Sequence, residues 1–127
     1  MGLQRIIQTV RTELEPPTVA LEEEHVYRIL SSKRRRLALS VLNGRADDVI
    51  QVADLSRAIA AEEIRTLPEE VPSTAYDAAC VSLHHSHLPV LADLDVVSWD
   101  RDASTVRARA SVSGLVGIIE VIERRTR

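Results

Sequence analysis

Apolar residues recur along this chain at two periods, and the alternation between them predicts its elements. Leu3, Ile6, Ile7, Val10 and Leu14 keep helical spacing until Pro16-Pro17 stops them, predicting an amphipathic N-terminal arm over residues 1–17. So short a helix is marginal alone in water, so its apolar side needs a surface: its own domain, a second copy or a membrane. A further helix is predicted from about Leu21, with Glu22, Glu23 and Glu24 complementing the dipole of its first turn. Ser31 or Ser32 is placed to cap another over Lys33 to Leu42, ended by Asn43-Gly44. Val49, Ile50 and Val52 form a brief β-branched stretch, and a short helix follows over Asp54 to Glu63. Beyond the loop bounded by Pro68 and Pro72, Ser73 or Thr74 is expected to cap a helix running to about Leu91. Its stripe is Tyr76, Ala79, Cys80, Leu83, Leu88 and Leu91, and Pro89 is expected to kink or break its last turn. Two strands, Val96–Trp99 and Thr105–Ala110, flank a turn at Asp100–Ser104, and Leu115, Ile118, Ile119 and Ile122 mark a C-terminal helix.

This order is helix, short strand, helix, helix, strand, turn, strand. It is the order of a winged helix-turn-helix: a mainly α domain with a small β-wing, over residues 18–112, flanked by the N-terminal arm and by a C-terminal helix over 113–127.

Two stretches carry a family resemblance. Residues 29–39, Ile-Leu-Ser-Ser-Lys-Arg-Arg-Arg-Leu-Ala-Leu, and residues 83–97, Leu-His-His-Ser-His-Leu-Pro-Val-Leu-Ala-Asp-Leu-Asp-Val-Val, resemble a haloarchaeal winged-helix domain family of unknown function. The second is also distantly similar to the segment of ArsR-type repressors in which a recognition helix runs into the wing. The resemblance spans roughly residues 22–110 and implies an archaeal, halophile transcription regulator. Asp95 stands where ArsR-type proteins usually have Gly, and Asp tolerates the left-handed conformation better than most residues.

Composition changes the picture in one respect. The 127 residues carry 16 Lys/Arg against 19 Asp/Glu, a net charge of -3, which excludes a cationic coat but leaves room for a local patch. The densest positive run is Lys33-Arg34-Arg35-Arg36, with Lys33 the only lysine. Arg forks match phosphate oxygens, so Lys33, Arg35 and Arg36 are candidate DNA contacts. The alternative is a solvated face balanced by Glu22 to Glu24. Arg34 aligns with Leu37, Ala38 and Val41, at the border of the core stripe, in position to pair with a carboxylate instead. From Thr66 to Asp100 there is no Lys or Arg, so the reading helix offers Thr74, Ser82, His85 and Ser86. Affinity must come from the basic run, from Arg101 at the wing tip and from Arg107 and Arg109 on the wing strand. Asp100 and Asp102 flank Arg101 and weaken its pull.

Asp77, Cys80, His84, His85 and His87 invite a metal reading, because Cys80 with His84 and His84 with His87 keep helical contact spacing. His84 and His87 fall inside the family-like stretch, where packing is their expected role, and Cys80 lies on the apolar stripe, so no metal is expected. A single cysteine also excludes a disulfide framework. With no Gly-rich phosphate loop, G-x-S-x-G or H-E-x-x-H, neither an enzyme nor a cofactor is expected. No apolar run reaches the ~18–20 residues of a membrane span. The opening residues do not resemble a signal peptide, so no membrane partner and a cytoplasmic location are expected.

The sequence therefore points to a sequence-specific regulator of double-stranded DNA acting as a homodimer. The dimer would be held by Ile6, Ile7 and Val10 of the arm and Leu115, Ile118, Ile119 and Ile122 of the last helix, with an intramolecular cap as the alternative. A winged-helix protein-interaction module without DNA binding is the competing function.

Overall fold

The computed structural model describes residues 21–45 and 47–126. The N-terminal arm, with Ile6, Ile7 and Val10, lies outside the described residues. Helix α1, Glu23–Leu30, starts after extended Glu22 and buries Val26, Ile29 and Leu30 at i, i+3, i+4 spacing. Of the two serines that follow, Ser32 is the cap of α2, Lys33–Asn43: its hydroxyl accepts from the Arg35 N–H at 3.4 Å. Ser31 instead donates to the Arg28 carbonyl, closing α1.

Strand β1, Val49–Gln51, runs directly into α3, Val52–Ile64. Helix α3 ends on Arg65 in the left-handed conformation, φ 56°. A 3-10 turn at Pro68–Glu70 leads to α4, Ser73–Ser82. Neither Ser73 nor Thr74 caps α4. Pro72 holds that position in an extended conformation, and Ser73 is already helical. The ring fixes φ and lacks an N–H, so the helix begins on the residue after it without a side-chain acceptor.

A π-helical segment, Leu83–His87, continues α4 into α5, Leu88–Asp93. The chain stays helical four residues past Pro89, so the expected break at that proline is absent. The reason lies just upstream. The Leu88 N–H reaches back five residues to the Leu83 carbonyl, and this widened turn accommodates the pyrrolidine where its missing donor would otherwise break the ladder. Asp95 then turns the chain at φ 58°, the left-handed pose its short polar side chain tolerates.

Strands β2, Val97–Asp100, and β3, Thr105–Ala108, form the expected hairpin. In its turn the Asp100 carboxylate accepts from the Ala103 N–H at 3.0 Å, and Ser104 has φ 56°. Strand β1 adds to β3, giving an antiparallel sheet of order β1-β3-β2, with Ile50 opposite Val106 and Trp99 opposite Val106 on its other side. The molecule is thus mainly helical, with one small three-stranded sheet. Among the described residues no helix is long and apolar enough to cross a membrane.

Helix α6, Ser111–Arg125, begins before the expected 113 and packs along α2. Leu115 and Ile118 have no exposed surface, and Ile119 and Ile122 keep only 2% and 7%. These four proposed dimer contacts are therefore covered by their own chain. Their apolar stripe closes the same core that α1 to α5 and the sheet build, which is the intramolecular alternative.

Candidate nucleic-acid interface

The basic run at the start of α2 is mostly tied into the fold. Arg34 donates from Nε to the Glu63 carboxylate on α3 at 2.8 Å and from a terminal nitrogen to the Ala78 carbonyl on α4 at 3.4 Å. The expected carboxylate pairing is thus present. Arg35 donates to the Arg28 carbonyl, and Arg36 to the Leu30 carbonyl. Two carbonyls at the end of α1 that lack helical partners are satisfied in this way. Arg35 also donates from Nε to Nδ1 of His87 at 3.2 Å. Burial, then the neighbouring Arg28, hold the Arg35 pKa below its ordinary value. Burial first, then Arg35 and Arg34, depress the pKa of His87, against a smaller upward pull from Glu63. Lys33 is exposed, and it lines with Arg36 a hollow of about 310 Å³ floored by Leu37, Ile119 and Ile122. Of Lys33, Arg35 and Arg36, Lys33 is thus the one left without a structural role among the described residues.

On the helix expected to read bases, Thr74, His85 and Ser86 are exposed and Ser82 is partly covered. The same outward surface carries Asp77, Ala78 and Val81, the last 58% exposed. It holds hydrogen-bonding groups and no cation.

The hairpin places its cations differently. Arg107 is exposed on β3, on the face away from the core, between Val49 and Ser98 of its neighbours. Arg101, at the hairpin turn, does not pair with Asp100 or Asp102. Its guanidinium lies over the Trp99 ring, 4.4 Å from the centroid. With Arg28, Pro89, Val90 and Asp93 these two residues line an open hollow of about 510 Å³ between α1, α5 and the hairpin.

The helix pair holds a matching contact that the sequence does not announce. Arg57 of α3 lies over the ring of Tyr76 on α4, 4.9 Å from its centroid. Sequence spacing cannot find it, because the partners sit on different helices and neither carries a motif. The proposed metal ligands are not gathered. His84 Nδ1 donates to the Cys80 carbonyl at 2.9 Å and lies 3.6 Å from the Cys80 sulfur, while His87 is bonded to Arg35. Among the described residues the set of three ligand-type groups close enough to share an ion is instead Glu22, Glu24 and His25, at the surface start of α1.

No curated protein and no solved structure matches the chain. One family model does, DUF7344, a domain of unknown function, over residues 27–107, from the middle of α1 through the helix pair to β3. Because that match takes in the basic run, the helix pair and the hairpin together, the chain belongs to the DUF7344 family.

Proposed function

We propose that this protein is a winged-helix regulator that binds double-stranded DNA sequence-specifically. The observation that carries the reading is topological. A strand, two packed helices and a hairpin follow one another, and the strand before the helices pairs with the hairpin's second strand. The hairpin is thereby held beside the far end of α4–α5, where a reading helix and a wing can engage adjacent parts of one duplex. Phosphate contacts then come from Lys33, Arg101 and Arg107, and base contacts from Thr74, Ser82, His85 and Ser86. Self-association, if it supplies two-fold symmetry, rests on the arm over residues 1–17, since the α6 stripe is already covered.

Fluorescence polarisation tests this with a pool of fragments from the source genome, followed by the selected fragment against a scrambled one. The expected result is salt-dependent binding with preference for the selected fragment. No duplex binding at the lowest salt at which the protein stays folded would overturn it.

A second reading, a winged-helix module that docks on a protein, is favoured by one observation. The outward face of α4 carries Val81 and Asp77 but no cation.

A further inference from the structure

We infer that Arg57 and Arg101 form a pair of pre-set phosphate clamps at the two ends of a row of side chains along the flank of α4, each for a separate phosphate of a bound duplex. The inference rests on the duplex-binding reading above and adds a residue, Arg57, and a division of labour to it.

The two guanidiniums end one continuous row of side chains. Tyr76, Cys80 and His84 follow one another at i, i+4 and i+8 along α4 into the π-helical segment. The Cys80 sulfur lies 3.6 Å from His84 Nδ1, and the His84 ring meets the Trp99 ring edge-on at 6.1 Å and 61°. Arg57 covers the tyrosine end and Arg101 the tryptophan end. All four side chains of the row are partly covered, so it forms a firm strip and not a loose fringe.

A guanidinium held over an aromatic ring by cation–π attraction is braced without an acceptor oxygen taking up its N–H donors. Arg34, Arg35 and Arg36 have used theirs on Glu63 or on backbone carbonyls. Arg57 and Arg101 make no hydrogen bond or ion pair among the described residues. They are therefore held in place with their forks unused, the condition in which a bidentate phosphate contact loses least entropy. Tyr76 to His84 spans about 12 Å along the helix at about 1.5 Å per residue, so guanidiniums beyond its two ends are too far apart to share one phosphate. The two guanidiniums, one beyond each end of the row, are thus set to contact separate phosphates along the flank of α4, beside the cation-free outward face that reads bases.

The test is duplex binding by polarisation across a KCl series in which each variant melts cooperatively. It compares wild type, Arg57→Ala, Arg101→Ala, Tyr76→Leu and, as an equal change in net charge, Arg124→Ala at the exposed end of α6. Arg57→Ala and Arg101→Ala should each weaken binding several-fold on selected and scrambled duplexes alike. Each should also flatten the log Kd against log salt slope by about one unit, one phosphate contact apiece. Tyr76→Leu, which keeps the charge and removes the brace, should weaken binding with the slope unchanged. Slopes for Arg57→Ala and Arg101→Ala equal to that of Arg124→Ala, with wild type binding well, would overturn the clamps and leave the duplex reading standing. No binding by wild type overturns both.

Discussion

At His87 the direction of one hydrogen bond sets the charge of a side chain. Arginine can only donate, so Nδ1 of His87 must accept, and the imidazole is neutral with its proton on Nε2. Burial and two neighbouring arginines depress its pKa below the ordinary 6.5. The unfolded chain therefore binds the proton first as pH falls. Below about pH 6.5 it holds more protons than the folded state, and stability drops until the folded pKa is passed. Thermal melts should show wild type losing several degrees between pH 7 and pH 5, and His87→Asn, which keeps an acceptor without titrating, losing visibly less. Equal losses in the two proteins would show that His87 is not the sensing group. At this scale the sequence was half legible. The place of Arg34 beside the α2 stripe announced an ion pair, but the partner, Glu63, is remote in the chain and no local pattern names it. Arg35 and Arg36 read as surface cations because nothing in a one-dimensional run shows that the carbonyls of α1 lie within their reach.

Among the elements, the α4–α5 rod carries a signal that was present in the spacing. On a straight helix of about 100° per residue, Leu88, counted with the stripe in the sequence, falls about 120° around from Tyr76 and fits it only loosely. Removing one residue between them brings it back to about 20°. The π-helical segment is that extra residue, taken up as a widened turn, and it is what makes Pro89 tolerable. Deleting exposed Ser86 should restore regular helix and the apolar stripe but set Pro89 inside it. The expected cost is about 3 kcal/mol, recovered for the most part by adding Pro89→Ala. A denaturant titration checks both, and an unaltered midpoint for the single deletion would refute this account of the segment. Other boundaries followed local chemistry closely: the Ser32 cap, the hairpin and its turn, and left-handed Asp95 were all readable. The start of α4 was not, because Pro72 competes with two good capping residues and wins by rigidity. The pairing of β1 with β3 was also hidden, since three residues of strand show a face but no partner.

For the molecule as a whole, the stretch matched by the family ends at residue 107, while the core extends into α6. Val112, Leu115, Val116, Ile118, Ile119 and Ile122 are all buried there. At about 1.5–3 kcal/mol per large apolar side chain, their loss approaches or exceeds the about 5–15 kcal/mol by which a domain is stable. A chain ending at residue 110 should therefore show no cooperative thermal transition by circular dichroism, and Ile118→Ala in the full chain should cost about 2–5 kcal/mol. A cooperative melt from the truncated chain would mean that α6 is a dispensable appendage. The amphipathic stripe of α6 was plain in the sequence. Its destination was not, because periodicity says that a face is covered and is silent on whether the cover is the same chain or another. Total charge is similarly silent on placement: the net -3 coexists with cations turned inward at α2 and outward at the hairpin.

Trp99 has a further consequence. It is the only tryptophan in the chain, and it sits at the junction of hairpin and α5, under Arg101, with an indole Nε1 that is covered and meets no acceptor. Light absorbed near 300 nm is thus re-emitted from one known place. A change in that emission while the helical circular dichroism holds steady marks the hairpin lifting from the helix. A change in step with it marks loss of the whole fold. The molecule carries its own optical gauge of hairpin position, without a label and without an added mutation.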